Sequence, residues 1–99
     1  MSLSPENPRY LVLLALADGN KNGADIQRQI LGDTIGYYLP TNTMYRSLHG
    51  LKDIGLVEVV IWEGQKVYQL TDSGKHFLER AAREKQETSR LAQQRLGFR

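Results

Sequence analysis

Six polar side chains stand close together at the start of one helical segment of this 99-residue chain. The segment reads PTNTMYRSLHGLKDIG, and its apolar residues Met44, Leu48 and Leu51 recur at helical spacing. Arginine pairs bidentately with guanine and asparagine with adenine, while threonine and tyrosine hydroxyls reach phosphate groups. Such a helix packs through its apolar face and presents its polar face to nucleic acid. The candidate contact residues are Thr41, Asn42, Thr43, Tyr45, Arg46 and His49.

A purely structural role remains open for several of these residues. Thr41 is expected to cap the helix, Thr41 and Asn42 can both be cap residues only, and Thr43 can satisfy free amides of the first turn. Tyr45 can pack its ring against the core while its hydroxyl stays outside. Arg46 can be a solvated surface charge.

The composition excludes several kinds of site. The chain has no cysteine, which removes disulfides, zinc-thiolate sites and thiol nucleophiles. His49 and His76 lie on different predicted elements without ligand spacing, so we expect neither a metal nor another cofactor. No phosphate-cradling glycine loop is present, and no histidine is paired with a carboxylate at recognisable spacing. The chain is therefore predicted not to be an enzyme.

The charge distribution does not by itself identify a partner. The net charge is +2, and the basic surplus lies in residues 71–99, which hold seven basic and four acidic side chains. The longest apolar run, Tyr10 to Ala17, is too short to span a bilayer, and we recognise no export signal. We therefore expect no membrane partner and, because cysteine is absent, a reducing cytoplasmic location.

The first two predicted elements are helices. The first begins near SPENP, where Ser4 or Asn7 can cap it and a proline suits its first turn, and it continues through RYLVLLALAD. The second has Asn22 as its cap, and Gly32 is its expected stop. Its predicted apolar stripe consists of Ile26, Ile30 and Leu31.

A third helix and a β-hairpin follow. The helix starts after Pro40 and ends at Gly55, with Ile54 placed on its buried face. The segments LVEVVIW and KVYQL flank EGQ and predict two strands joined by a short turn. Both hairpin faces carry apolar residues, so the inward face stays open: one face has Val57, Val59 and Ile61, and the other has Val60 and Trp62.

This order of elements is mainly α with a small β-hairpin, and it is that of a winged helix-turn-helix. In that arrangement the third helix enters the DNA major groove. The hairpin tip then lies along the neighbouring backbone, which adds Gln65 and Lys66 as candidate phosphate contacts. The predicted partner is double-stranded DNA, although winged helices also serve as protein-binding modules without DNA binding, and that alternative remains open.

The last helix, capped by Thr71 or Ser73, is too polar to be only core. Its apolar stripe thins along its length, which favours an arm that projects and packs on a second copy. Its arginines Arg80, Arg83, Arg90 and Arg95 mix with glutamates and are predicted to form a solvated, salt-bridged face. The predicted dimer contacts are Phe77, Leu78, Ala81, Ala82, Leu91, Ala92 and Leu96.

Two motifs together resemble the PadR-like winged-helix transcriptional regulators. NTMYRSLHGLKDIGLV is similar to that family's recognition helix, and KVYQLTDSGK is similar to its Tyr-x-Leu-Thr-x-x-Gly motif. The apolar first helix YLVLLALADG fits as well. The likeness covers roughly residues 8 to 80. One departure is NGADI, which keeps Gly23 and Ile26 but lacks the histidine and tyrosine usual at the start of the second helix. The matching positions are Thr43, Tyr45, Leu48, Leu51, Gly55, Leu56 and Val57, and then Tyr68, Leu70, Thr71 and Gly74.

The resemblance implies a homodimeric regulator that binds a pseudo-palindromic operator and represses. It also implies the short type with a single C-terminal helix. We therefore expect a winged helix-turn-helix DNA-binding domain over residues 1–72 and a dimerisation helix over residues 73–99. Some members of the family respond to small aromatic effectors, and no residue of this sequence identifies such a ligand.

Overall fold

The computed structural model describes residues 7–34, 36–84, 92 and 94–97. Its elements are α1 (Pro8–Ala15), α2 (Gly23–Asp33), α3 (Thr41–Asp53), β1 (Val57–Trp62), β2 (Gln65–Leu70) and α4 (Asp72–Glu84). Three helices followed by a two-stranded antiparallel hairpin and a further helix form a winged helix-turn-helix. The fold class predicted from the sequence is therefore confirmed. Within the described part of the chain, every helix is too short or too polar to cross a bilayer.

Helix α1 is the centre of the core. The side chain of Asn7 caps it by accepting a hydrogen bond from the Tyr10 amide, and Pro8 occupies its first turn, as the sequence indicates. Every residue from Tyr10 to Ala17 is buried, and α1 contacts all three other helices. The alternative cap Ser4 lies outside the described residues.

Helix α2 packs through a narrower face than its sequence predicts. Asn22 caps it by accepting from the Asp25 amide, and Ile26 and Ile30 are fully buried. Leu31, however, is 41% exposed, so the prediction that it belongs to the apolar stripe of α2 is wrong. The helix also passes Gly32 and ends at Asp33, where the Thr34 hydroxyl donates to the Ile30 carbonyl.

Helix α3 buries Met44, Leu48 and Leu51, which confirms its predicted core face. Ile54 is 59% exposed, because the helix has ended at Asp53 and the chain turns away through Gly55 at φ +81°. That left-handed conformation is the one that glycine adopts at low cost. The predicted Thr41 cap is also wrong: Pro40 occupies the cap position, and Thr41 is the first helical residue.

The hairpin, which we call the wing, joins its strands through a two-residue turn. Glu63 and Gly64 both have positive φ, at 49° and 78°, which matches the twist of the flanking strands. The register pairs Val57 with Leu70 and Val59 with Tyr68. Because Val57, Tyr68 and Leu70 are buried, this face packs inward, and the question that the sequence left open is answered.

The start of helix α4 is held to the turn between α3 and β1 through Thr71. The Thr71 hydroxyl accepts from the Gly74 amide and donates to the Gly55 carbonyl at 2.6 Å, so Thr71 is the cap. Gly74 lies so close to the backbone that a Cβ there would be 2.0 Å from the Leu56 carbonyl oxygen. The Thr-x-x-Gly spacing in this chain therefore marks a point where α4 touches the α3–β1 turn.

In residues 92 and 94–97, which we call the C-terminal segment, side chains pack on the chain's own core, where the sequence predicted a projecting arm. Ala92 is fully buried, and Leu96 packs against the core cluster. The Arg95 side chain is only 11% exposed and is paired with Asp33, so the prediction that it belongs to a solvated face is wrong. Arg83 keeps the predicted exposed pairing, with Glu79. Leu91 and Arg90 lie outside the described residues.

Candidate nucleic-acid interface

The exposed face of α3 carries most of the candidate contact residues. Five of the six are exposed, and Thr43 is half-buried. Helical periodicity places the exposed five on one side of the helix, opposite the buried side chains. Ser47 is buried beside them, and its hydroxyl donates to the Thr43 carbonyl at 2.8 Å. The exposed five are Thr41, Asn42, Tyr45, Arg46 and His49.

The start of α3 is held by a side chain that sequence reasoning missed. The Gln27 amide of α2 donates to the Leu39 carbonyl at 3.0 Å and to the Thr41 hydroxyl at 3.2 Å. The Tyr38 hydroxyl lies 3.5 Å from the same Thr41 oxygen, and its side chain is 58% exposed. Gln27 therefore positions the helix start, and Tyr38 enlarges the polar surface beside it. Neither role shows in a periodicity pattern, because both depend on how the loop folds back.

Tyr45 rests on α2 at Gly23. A Cβ at Gly23 would lie 2.4 Å from the Tyr45 hydroxyl, so the lack of a side chain there makes room for the phenol. The Tyr45 ring also faces Tyr68 of the wing at a centroid distance of 6.5 Å, with the planes tilted by 58°. Tyr45 is 37% exposed. It therefore packs against both α2 and the wing while part of its surface reaches solvent.

Burial raises the pKa of the Tyr68 hydroxyl, and the neighbouring Tyr45 raises it further. Tyr68 is 4% exposed, and its backbone amide and carbonyl both bond to Lys21 at 2.9 and 3.0 Å. This bridge attaches Lys21, which precedes the Asn22 cap of α2, to β2. The wing and the start of α2 are therefore joined through Tyr68.

The two predicted wing contacts lie on opposite faces of the hairpin. Lys66 pairs with Ile61, on the face that turns toward the helices, whereas Gln65 pairs with Trp62 on the other face. The Gln65 side chain accepts from the Asn22 amide at 3.4 Å. Lys66 is exposed on the Tyr45 side of the wing. Lys66 and Gln65 thus do not form a single contact surface.

Of the seven predicted dimer residues, Leu91 lies outside the described residues, Leu96 packs against the core cluster, and the other five form two groups. Leu78 and Ala82 of α4, and Ala92 beyond it, are buried in the chain's own core, so they offer no exposed surface to a second copy. Phe77 is 50% exposed, and it lines an apolar groove of about 370 Å³ together with Ala81 and Ile54. Residues of α1 and α3 complete the groove, among them Tyr10, Leu13 and Leu51.

No metal site is found in the parts of the chain that the structure describes, since no three His, Asp or Glu side chains there could hold an ion together.

No protein-family model and no curated protein matches the sequence. Solved structures do match it. A PadR family transcription regulator from Clostridium difficile R20291 superposes with a TM-score of 0.73 at 24% identity, over 88% of this chain and 95% of that one. A transcriptional regulator from Clostridium thermocellum gives 0.73 at 20% identity, over 88% and 87%.

A third match is Bacillus subtilis PadR, solved in complex with operator DNA. It has 29% identity and a TM-score of 0.61, over 74% of this chain and 45% of that longer one. These neighbours are transcription regulators and not enzymes. The resemblance inferred from the two sequence motifs is thereby confirmed: the chain is similar in fold to PadR-family regulators.

Proposed function

We infer that this protein is a transcriptional regulator that binds double-stranded DNA sequence-specifically through α3 and the wing. The observation that carries this inference is the division of α3: Met44, Leu48 and Leu51 are buried, while the opposite side presents an arginine, an asparagine and hydroxyl groups to solvent. Those groups can form hydrogen bonds with base edges and with phosphate oxygens. Bacillus subtilis PadR, which this chain resembles at 29% identity, was solved in complex with operator DNA, and this supports DNA as the partner.

Lys66 and Ile61 extend this surface along the wing, on the Tyr45 side. Arg46 and Lys66 contribute positive charge to it. Helix α3 carries only two cationic residues, Arg46 and Lys52, so two subunits bound to one operator would supply the phosphate contacts that specific binding needs. The affinity is expected to fall steeply as salt rises.

The protein acts as a homodimer whose interface includes the apolar groove between α1, α3 and α4. Phe77 and Ile54 expose about half or more of their side chains there, at 50% and 59%, beside the buried Leu51. Contiguous apolar surface of this kind favours association. A two-fold symmetric dimer contacts two half-sites, so the proposed operator is pseudo-palindromic. The proposed effect of binding is repression of the adjacent gene.

Selection of bound duplexes from a random pool tests this function. A two-fold-symmetric consensus is the expected result, and sedimentation of the same protein should give a dimer that Phe77→Glu converts to monomer. If no consensus emerges while the protein captures a specific protein partner, the winged helix serves as an interaction module instead. A Phe77→Glu variant that stays dimeric would move the interface elsewhere.

A further inference from the structure

Arg9, the second residue of α1, lays its guanidinium against Gly50 of α3. A Cβ at Gly50 would stand 2.6 Å from Arg9 Nη2 and 3.2 Å from its Cζ, so the guanidinium occupies the space that a side chain there would need. Arg9 is exposed, and Gly50 is half-buried. The missing side chain at Gly50 therefore lets α1 place a positive charge directly on the surface of α3.

The charge of Arg9 is not neutralised by the part of the chain that the structure describes. Glu84 of α4 lines the same groove as Arg9, and Asp53 is the last residue of α3, yet neither forms an ion pair with it. The first turn of α1 also contains no acidic residue. A cation in a first turn meets the positive end of the helix dipole, which disfavours it. The guanidinium is therefore available to an anion from outside the chain.

Gly50 lies on the side of α3 that faces α1, one helical turn after Arg46. Positions four apart are neighbours on a helix surface, about 5–6 Å from each other, so the Arg9 guanidinium continues the row that Arg46 begins. Tyr45 points to the other side of α3, where it meets α2 and the wing, and Lys66 lies on that side. Cations thus stand on both sides of the polar face of α3.

This arrangement fits the two phosphate backbones that border a major groove. The groove is about 12 Å wide, and a helix with its side chains is about 10–12 Å across, so a helix in the groove has phosphates near both of its sides. Arginine binds a phosphate through two parallel hydrogen bonds. We propose that Arg9 contacts a DNA phosphate on the side of the groove away from the wing, and that Gly50 positions its guanidinium for this contact. This inference rests on the proposed function.

The salt dependence of operator binding tests the phosphate contact. Arg9→Gln should weaken binding to the selected operator by about fivefold or more at about 0.1 M salt. The slope of log affinity against log salt should become shallower by about 0.9 for each bound subunit. The loss should be equal on operators with single altered base pairs, because a phosphate contact carries no sequence information. Arg9→Lys keeps the charge and should keep the slope.

Gly50→Ala tests whether Gly50 positions the guanidinium. The new Cβ displaces the flexible end of Arg9 at little cost, and alanine is the better helix former, so the variant should be at least as stable as the wild type. It should nevertheless bind the operator about threefold or more weakly, and add no further loss to Arg9→Gln. An undiminished loss in the Arg9→Gln background would mean that the alanine obstructs the DNA directly, which overturns the positioning role.

Two controls separate this contact from other effects. Lys75→Gln removes an exposed cation beside Ala17, at the other end of α1, and should change neither the affinity nor the slope. Because Arg9 also lines the proposed dimer groove, sedimentation of each variant is required, and a loss of affinity that only follows dissociation of the dimer overturns the contact. A wild type that binds no duplex overturns the proposed function. A wild type and an Arg9→Gln variant with equal affinity and equal slope overturn this inference alone.

Discussion

The guanidinium of Arg95 is paired with the carboxylate of Asp33, 62 positions earlier in the chain. Arg95 Nη1 lies 2.7 Å from Asp33 Oδ2 and also donates to the Leu14 carbonyl at 3.0 Å. The two side chains are 11% and 6% exposed, and Gln29 donates to the same carboxylate at 3.0 Å. The pair therefore ties the C-terminal segment to the last residue of α2 and to α1.

Breaking this pair should destabilise the fold more than breaking an exposed one. Arg95→Ala leaves the Asp33 carboxylate buried without its cation and is expected to lower the free energy of unfolding by about 2–4 kcal/mol. The matched control is Arg83→Ala, which removes an exposed ion pair with Glu79. This substitution should change the free energy of unfolding by about 0.5 kcal/mol or less. Urea denaturation measures both. Equal losses of unfolding free energy in the two variants would mean that the Arg95–Asp33 pair contributes no more to stability than the exposed pair does.

Two glycines should respond oppositely to alanine. At Gly74 a Cβ would meet the Leu56 carbonyl oxygen at 2.0 Å, and backbone cannot yield as a side chain does. We expect Gly74→Ala to destabilise the protein by about 2–3 kcal/mol. Gly32 is a helical residue of α2, and apart from its chain neighbours and the nearby backbone of its own helix a Cβ there would meet no atom within 4 Å.

Gly32→Ala should therefore stabilise by about 0.5–1 kcal/mol, because alanine is the better helix former. Thermal unfolding of the two variants side by side gives the comparison. A Gly74→Ala variant as stable as the wild type would show that α4 can move away from the α3–β1 turn at little cost.

The contact between Gly23 and Tyr45 can be tested by a double-mutant cycle. Gly23→Ala forces the Tyr45 phenol to move and is expected to cost about 1–2 kcal/mol of stability and to weaken DNA binding. Tyr45→Phe removes the hydroxyl that stands 2.4 Å from the new Cβ, so the double variant should recover part of the stability. Strictly additive effects would argue that the two residues do not touch.

Arg46 is the side chain expected to read a base. On the selected operator, Arg46→Ala should weaken binding by about 1–3 kcal/mol and relax the preference at one position of the site. Arg83→Ala removes an equal charge from α4 and serves as the control, with little expected change. Competition binding with altered operator sequences at several salt concentrations distinguishes a contact to a base from a contact to a phosphate. A uniform loss on all sequences with a shallower salt dependence would assign Arg46 to phosphate.

The raised pKa of Tyr68 predicts a pH dependence of stability. The folded protein keeps the Tyr68 proton above pH 10.0, where the unfolded chain releases it. The stabilising contribution of Tyr68 is therefore complete below pH 10.0 and is lost as pH rises through the folded-state pKa. Urea midpoints measured across this alkaline range should fall less steeply in Tyr68→Phe than in the wild type. Identical slopes would mean that the buried hydroxyl does not titrate differently on folding.

Local signals in the sequence predicted the elements well. Asn7, Asn22 and Gly55 act on backbone groups within a few residues of themselves, and each plays its expected part. Thr71, one of two caps considered, caps α4 through an amide three residues away. The α3 core face also followed from spacing, because helix periodicity alone aligns Met44, Leu48 and Leu51.

Positions near the ends of elements were predicted less well. Thr41 lost its capping role because Pro40 takes the cap position, and its hydroxyl bonds instead to Gln27 from α2. Ile54 and Leu31 continue an apolar stripe in the sequence but are exposed. Periodicity assigns such residues to a face, yet burial there requires another element to cover them.

The amino-acid sequence by itself determined the order of elements, the buried face of α3 and the polar residues on its other side, since these depend on short-range spacing and composition. Only the tertiary structure decided which wing face packs inward, which wing side carries Lys66, and that Arg95 is buried against Asp33 instead of solvated. Those outcomes depend on contacts between residues distant along the chain, and the free energy of such contacts depends on which elements meet in space.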